Sequence, residues 1–203
     1  LMRISHENTA KFKLKPPDFI LGDKVVVIGS GNTALDCART AVRYGKEVKM
    51  VFRKSVEELR VRKEERIFAE EEGVKFEPRV NPVEIKGDPN NFVSSIKCMR
   101  YDYADEDESG NWSLAQVPDS EFLMDADTVV IAIGHQPNAT AGRLVSRLKV
   151  KRDGTIAVNS SNMTTLSGIF AAGNVVTNAG PVVEAIASGL KVADDIDQYL
   201  QQI

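Results

Sequence analysis

Two glycines and an alanine follow a short apolar run near the start of the chain, in the spacing Gly29-x-Gly31-x-x-Ala34. The first glycine of such a pattern permits a tight turn, the second lets the backbone approach a pyrophosphate, and the small third residue lets a helix pack closely on a strand. Backbone N–H groups at the start of that helix then face the phosphates. The spacing predicts a dinucleotide-binding loop, with a glycine-rich structural turn as the alternative. The loop residues are Gly29, Ser30, Gly31, Asn32 and Thr33.

The next predicted strand ends in Arg53 and Lys54, followed by Ser55. A site for NADH usually places an acid here to accept hydrogen bonds from the ribose 2′-hydroxyl, and a site for S-adenosylmethionine commonly does so too. Two cations suit a 2′-phosphate instead, because arginine can bind it bidentately. The sequence therefore favours NADPH over NADH and over a methyl donor. The alternative is that both are ordinary surface charges; Arg60 and Arg62 could assist from the next helix, although such residues more often face solvent.

A strand, a helix and a second strand are needed to position these residues, and the hydrophobic pattern predicts such a unit. The strands are runs rich in β-branched residues, typical of a buried parallel sheet. A capping box formed by Ser55 and Glu58 predicts the start of a second, charged helix. The predicted strands of this part are residues 24–28, 48–52 and 74–80, and the predicted helices are residues 33–44 and 55–72.

Beyond residue 81 the pattern changes to short strands joined by turn-rich loops, which indicates an antiparallel meander. Further strands and a terminal helix follow, with Pro181 in the first turn of that helix. We therefore predict an α/β, three-layer Rossmann-like dinucleotide-binding fold with an inserted antiparallel β-meander over about residues 83–117. The predicted meander strands are 83–86, 92–101 and 111–117, the later strands are 127–134, 155–158 and 168–172, and the terminal helix is 180–200.

The composition excludes several other classes of function. The chain has 203 residues, a net charge of −3 and no basic stripe, so nucleic acid is not an expected partner. No apolar run reaches the ~18 residues that a membrane span needs, so no membrane association is expected. The two cysteines, Cys37 and Cys98, form no C-x-x-C pair. We expect reduced thiols in a cytoplasmic protein, with no metal site and no redox dithiol.

Four stretches, in the same order along the chain, closely resemble the small-subunit family of glutamate synthase. Its relatives include the electron-input region of dihydropyrimidine dehydrogenase and the ferredoxin:NADP oxidoreductase subunits. The resemblance implies a flavoprotein in which an NADPH domain is inserted within an FAD domain, hydride passes from nicotinamide C4 to flavin N5, and electrons leave through iron–sulfur clusters. The stretches are VVVIGSGNTALDCARTAVRYGKEVKMVFRKS, EEGVKF, ADTVVIAIGHQPN and GIFAAGNVVTNAGPVVEAIASG.

The resemblance also implies roles for the residues near the nicotinamide and the phosphates. The glycine-rich loop would cradle the NADPH pyrophosphate, and Arg53 with Lys54 would take the 2′-phosphate. The segment that passes near the nicotinamide would be Ala132, Ile133 and Gly134.

At the C-terminal end, the resemblance implies that Gly173 and the helix start at Val182 contact FAD. Asn174 stands where the family usually has an aspartate that accepts bonds from the FAD ribityl and phosphate region. No catalytic residue is predicted, because the two cofactor rings supply the reactivity. We expect His135 to be a loop side chain near the cofactor, and Glu184 to have a capping or packing role.

By this resemblance, residues 1–22 are a lead-in segment, residues 23–140 are the NADPH-binding domain, and residues 141–203 match the end of the family's FAD domain. The family's first FAD fingerprint and cluster cysteines do not precede Gly29, so we expect the rear portion of a longer protein. The leading hypothesis is the NADPH-binding portion of a flavoprotein oxidoreductase, delivering hydride from NADPH to FAD. It would act with a missing FAD-domain half, or with a partner subunit such as a glutamate synthase large subunit or an iron–sulfur protein. The alternative is a non-catalytic NADP(H)-binding or assembly module; a methyltransferase is disfavoured by Arg53.

Overall fold

The computed structural model describes residues 21–106, 112–134, 144–178 and 180–202. The chain divides into two compact units, Leu1–Gly134 and His135–Ile203. The predicted domain boundaries at residues 22 and 140 stay predictions. The elements of the first unit are β1 (Lys24–Ile28), α1 (Asn32–Arg43), β2 (Glu47–Phe52), α2 (Lys63–Glu72), β3 (Lys75–Pro78), β4 (Val80–Gly87), β5 (Val93–Glu106), β6 (Trp112–Gln116), β7 (Phe122–Asp125) and β8 (Thr128–Ile131).

A four-stranded parallel sheet in the order β3-β2-β1-β8 forms the centre of this unit. The side chains of each strand alternate between two cores, because successive residues of a strand point to opposite faces of the sheet. Val25 and Val27 of β1 pack on the side of α1 and α2, where Ala34 and Ala38 bring α1 close to the sheet. Val26 packs on the other side, against the antiparallel strands. Helices, parallel sheet and antiparallel sheet thus form three layers, and the predicted α/β fold is confirmed.

The antiparallel sheet is larger than the sequence predicted. It has the order β4-β5-β6, and β7 also pairs with β5. The pattern did not predict β7, a four-residue strand in which Met124 is the buried residue. β7 pairs with the first half of β5, where Ile96 lies opposite Met124, and both side chains are buried in the core beneath the parallel sheet.

The second helix begins later than predicted: α2 starts at Lys63, and residues 55–62 form turns and one isolated bridge, from Arg60 to Gly31, instead. The Glu58 carboxylate does accept a hydrogen bond from the Ser55 N–H at 2.9 Å, as in half of a capping box. Leu59, however, is buried in the core, and the Arg60 N–H donates to the Ser30 carbonyl at 3.1 Å. These two anchors hold the backbone in a turn, so that the helix starts only after residue 62.

The two helices are joined by a charged contact. Glu72, at the end of α2, accepts hydrogen bonds from Arg39 Nε at 2.8 Å and from Arg39 Nη2 at 2.6 Å. Arg43 Nη2 donates to the same carboxylate at 2.8 Å. α2 then ends at Gly73, whose φ of +110° is the left-handed conformation that a glycine adopts readily at a helix end.

In the second unit the described helices are α3 (Asn174–Thr177) and α4 (Val182–Leu200). Pro181 is the residue before α4, not part of its first turn. The strands predicted at 155–158 and 168–172 are wrong for the described residues, where each stretch makes one isolated bridge, Ile156 with Val150 and Phe170 with Met163. Each bridge closes a tight turn, in which Gly154 or Gly168 has a positive φ.

A small core in this unit packs against α4. Phe170 and Tyr199 make an edge-to-face contact with ring centroids 5.6 Å apart, and Val192 is buried. Asn162 Nδ2 donates to Asp195 at 2.7 Å and ties a loop to the helix. Within residues 21–106, 112–134, 144–178 and 180–202, no helix has both the length and the apolar character needed to cross a bilayer.

Candidate functional site

The glycine-rich loop opens onto a cleft of about 390 Å³ at the carboxyl ends of β1, β2 and β8. In α/β sheets this edge is where ligands bind, because loops from neighbouring parallel strands meet there. We call it the glycine-loop cleft. It is lined by residues 28–33, 51–54, 60, 80–82 and 132–134.

Gly29 makes the turn out of β1 in a conformation that other residues rarely adopt, with φ of +147°. Its N–H donates to the Val51 carbonyl at 3.1 Å. A Cβ atom at this position would lie 2.3 Å from the Ala132 carbonyl oxygen and 3.0 Å from Ala34 Cβ. The protein itself therefore requires glycine here, because backbone from β8 and the start of α1 close around it.

Gly31 differs from Gly29 in that nothing in the protein fills the space beside it. Its φ of −108° is open to any residue, and a Cβ atom there would meet no atom within 4 Å. Gly31 is the N-cap of α1, and among the described residues no side chain accepts a hydrogen bond from the first turn of this helix. Ser30, Asn32 and Thr33 also line the cleft. The N–H groups of the first turn are thus left for an external acceptor.

Arg53 and Lys54 lie where β2 ends, and they line the same cleft as the glycine loop. Arg53 is exposed, and no ion pair with it exists within the described part of the chain. Lys54 Nζ lies 3.9 Å from Glu58 Oε1. The structure therefore brings both predicted cations to the loop. Glu58 partly neutralises Lys54, whereas no described carboxylate pairs with Arg53.

Glu58 and Tyr103 form a contact that sequence reasoning missed. The Tyr103 hydroxyl on β5 donates to the Glu58 carboxylate, which also accepts the Ser55 N–H. The Tyr103 hydrogen bond is the main reason that the pKa of Glu58 is lowered, and the same contact raises the pKa of Tyr103. The capping-box spacing signalled Glu58, but nothing in the sequence signalled a partner 45 positions away.

The third side of the cleft comes from the end of β8. The Ala132 N–H donates to the Ile28 carbonyl at 2.8 Å and extends the pairing with β1. Ile133 is 73 % exposed, and Gly134 has φ of +102°. All three predicted residues, Ala132 to Gly134, line the cleft. The prediction for His135 falls outside the described residues.

The predicted flavin-contacting residues lie in the second unit. The Gly173 N–H donates to Ser188 Oγ of α4 at 2.9 Å. Asn174 Oδ1 accepts the Gly180 N–H at 3.3 Å, which places Asn174 beside the start of α4. Val182, the first residue of α4, is 74 % exposed. The structure thus brings Gly173, Asn174 and Val182 together at one end of the helix.

Glu184 lies in the first turn of α4 and is exposed. Among the described residues no side chain caps the start of this helix. The Glu184 carboxylate lies beside Gly180, where an added Cβ atom would be 2.9 Å from Glu184 Oε2. No capping bond from Glu184 is seen among the described residues, and its packing role stays a prediction.

Neither cysteine offers a reactive thiol. Cys37 and Cys98 are both buried, and no disulfide joins them. Burial raises the pKa of the Cys98 thiol to about 11. Cys98 is therefore a structural residue in the core beneath the parallel sheet, where it packs among apolar side chains.

Similarity to known proteins agrees with this geometry. The chain is 39% identical over 183 residues to the NADP(+)-dependent formate dehydrogenase subunit beta of Moorella thermoacetica, covering 89% of this chain and 26% of that protein. It is 36% identical over 181 residues to the glutamate synthase [NADPH] small chain of Azospirillum brasilense, covering 88% of this chain and 37% of that one. The chain thus spans between a quarter and two-fifths of the length of these curated relatives.

Among solved structures, thioredoxin reductase from T. acidophilum shares the fold, with a TM-score of 0.68 and 23% identity over 88% of this chain and 52% of that one. The pyridine nucleotide-disulphide oxidoreductase family matches residues 2–189. The predicted relationship to glutamate synthase small subunits is confirmed by these matches. The chain belongs to the pyridine nucleotide-disulphide oxidoreductase family.

Proposed function

We propose that this chain is the NADPH-binding portion of a flavoprotein oxidoreductase similar to glutamate synthase small subunits, and that it delivers hydride from NADPH to FAD for onward electron transfer. The observation that carries the proposal is the convergence of Gly31, Arg53 and Lys54 on one cleft. The names of the two relatives described above both specify NADP(H).

The cleft fits the phosphates of NADPH. The space beside Gly31 is open, and the first turn of α1 has N–H groups that no side chain caps. These are the features that bind a pyrophosphate. Arg53, exposed at the end of the adjacent strand, offers a bidentate donor to a 2′-phosphate, and Lys54 adds a second cation. No acid follows β2 directly, as it would in an NADH site.

The residues proposed for FAD can offer hydrogen bonds but no side-chain charge. The side-chain oxygen of Asn174, Oδ1, already accepts the Gly180 N–H. Its NH₂ group is therefore the part left to donate a hydrogen bond. An amide can donate to a phosphate oxygen but brings no charge. The start of α4 at Val182 adds the positive end of a helix dipole. Gly173, Asn174 and Val182 would therefore hold an anionic segment of the cofactor.

One face of α4 is apolar and exposed, which favours a second protein segment that completes the FAD site. Val182, Val183, Ile186 and Leu190 recur at helical spacing and are each between 58 % and 74 % exposed. A helix with such a stripe is normally covered by protein. We propose that the missing FAD-domain half, or a partner subunit such as a glutamate synthase large subunit or an iron–sulfur protein, covers it.

Within this function the chain binds and orients, and no side chain acts as acid or base. Nicotinamide and flavin rings supply the hydride chemistry when bound. The glycine loop and the cations fix one end of the dinucleotide, and Ala132 to Gly134 border the other side of the cleft. A cytoplasmic location is part of the proposal, because Cys37 and Cys98 form no disulfide, as is usual for cysteines in a reducing compartment.

A titration with NADPH, NADH and S-adenosylmethionine tests the proposal. We expect NADPH to bind at least ~10-fold more tightly than NADH, a difference of about 1.4 kcal/mol, and S-adenosylmethionine not to bind. The double variant Arg53→Ala/Lys54→Ala should lose the preference and keep the fold. Lys151→Ala/Arg152→Ala, an adjacent exposed pair in the other unit, is the matched control. Equal affinity for NADPH and NADH in the unmodified chain would contradict the assignment of Arg53 and Lys54.

A further inference from the structure

Arg60 is anchored beside the glycine loop by its backbone. Its N–H donates to the Ser30 carbonyl at 3.1 Å, and Arg60 pairs with Gly31 as residues do in neighbouring parallel strands. The preceding residue, Leu59, is buried in the core between the sheet and its helices. The position of Arg60 along the loop is therefore fixed by contacts that do not involve its own side chain.

The pairing with Gly31 also decides on which side the Arg60 side chain projects. Residues paired across neighbouring strands direct their Cβ atoms to the same side of the pair. On that side Gly31 has open space, since an added Cβ atom would meet nothing within 4 Å. Arg60 lines the glycine-loop cleft. The guanidinium therefore extends beside the space in which an anion can approach the loop.

Within the described part of the chain, no carboxylate compensates the charge of Arg60. Arg60 is exposed, and among the residues that the structure describes no carboxylate forms an ion pair with it. Lys54 differs, because Glu58 lies 3.9 Å from its ammonium. A cation that is held beside an anion-binding loop without a counter-charge is well placed to bind a phosphate group.

We propose that Arg60 binds the pyrophosphate of the dinucleotide, the anion that NADPH and NADH share; this inference rests on the proposed function. Arg60 then has a different task from Arg53 and Lys54. The two residues after β2 set the preference for a 2′-phosphate. Arg60 adds affinity that is common to every ligand with the pyrophosphate, whatever its ribose carries.

Isothermal titration of the full chain with NADPH, NADH and ADP-ribose tests this division of tasks. The variant is Arg60→Met, and Arg62→Met is the matched control, because Arg62 is also exposed but does not line the glycine-loop cleft. We expect Arg60→Met to weaken all three ligands by a common factor of about 5 or more, and Arg62→Met to stay within about twofold of the unmodified chain. Thermal unfolding of each variant checks that the fold is kept.

Three results would overturn the inference. Unchanged affinity in a folded Arg60→Met would show that the guanidinium faces solvent. A loss confined to NADPH would make Arg60 a ligand of the 2′-phosphate instead, and the proposed function would stand. If the unmodified chain binds none of the three ligands, the proposed function fails and the role of Arg60 fails with it.

Discussion

The backbone of Gly29 passes so close to Ala132 that a Cβ atom on the glycine would lie 2.3 Å from the alanine carbonyl oxygen. With φ of +147°, the position is also closed to other residues by its backbone conformation. We expect Gly29→Ala to lower the free energy of unfolding by about 1–3 kcal/mol, from the cost of holding alanine in this backbone conformation alone. Denaturant unfolding measures this, and stability equal to that of the unmodified chain would contradict the close packing of β8 on the loop.

Gly31→Ala is expected to weaken NADPH binding while largely sparing stability, unlike Gly29→Ala. The backbone at Gly31 accepts alanine, and the added methyl group meets no protein atom. Unfolding free energy should stay within about 1 kcal/mol of the unmodified value, the cost of alanine at a helix N-cap. NADPH affinity should fall at least ~10-fold, about 1.4 kcal/mol, because the methyl group occupies the space proposed for the pyrophosphate. Parallel unfolding and binding curves measure both effects; unchanged affinity would mean that the phosphates lie elsewhere.

Glu72 links stability to pH through Arg39 and Arg43. Hydrogen bonds from Arg39 are the main reason that the pKa of Glu72 falls from 4.5 to about 2 in the folded chain. A carboxyl with a lowered folded pKa stabilises the protein above its unfolded pKa, and that stabilisation disappears as the pH falls through the folded pKa. The contribution of Glu72 should therefore be complete above pH 4.5 and be lost towards pH 2.

We expect Glu72→Gln to lower the free energy of unfolding by about 1–2 kcal/mol at pH 7. The difference from the unmodified chain should shrink between pH 4.5 and pH 2, as the reference carboxyl becomes protonated. Glu71→Gln, an exposed neighbour on the same helix, should show little difference at any pH. A difference that persists unchanged to pH 2 would rule out the ion pair as its source.

Tyr103→Phe should change the titration of Glu58. The Tyr103 hydroxyl is the largest cause of the lowered pKa of that carboxyl, so its removal should raise the pKa of Glu58 towards the ordinary range. Carbon-detected NMR of the carboxyl groups as a function of pH measures the shift. Tyr101→Phe is the control, because the Tyr101 hydroxyl accepts a bond from Gln116 instead. An unmoved pKa of Glu58 in Tyr103→Phe would refute the contact.

We expect the purified chain to remain colourless after incubation with excess FAD and desalting. The residues proposed for FAD lie at an exposed helix start, where Val182 is 74 % exposed, and such a surface holds a flavin weakly. The visible absorption spectrum decides the question. A retained flavin band would mean that this chain binds FAD unaided, and it could then be assayed directly for NADPH oxidation.

The elements around the glycine loop were predictable because their signals are local. β1, α1 and β2 combine β-branched runs, small residues at helical spacing and glycines at the turns. No end of these three elements differs from its prediction by more than one residue. The cleft followed from the topology, since parallel strands place their carboxyl ends at one edge.

The start of α2 was not predictable, because it depends on contacts far away in sequence. Ser55 and Glu58 have capping-box spacing, yet the burial of Leu59 and the bond from Arg60 to Ser30 determine the local backbone. The placement of Arg60 in the cleft depends on the same contacts. The Tyr103 hydroxyl, on the antiparallel sheet, bonds to Glu58. The residue pattern of neither segment predicts this contact.

The pairing of β1 with β8 has a consequence for the order in which the unit folds. The Asp127 carboxylate accepts the Lys24 N–H from 103 positions away, so this end of the sheet closes a long loop and carries a large entropic cost. Ala132, whose carbonyl closes over Gly29, arrives with that last strand. Capacity to bind a nucleotide should thus appear only once β8 has paired with β1, later than the local parallel unit of β1, α1 and β2.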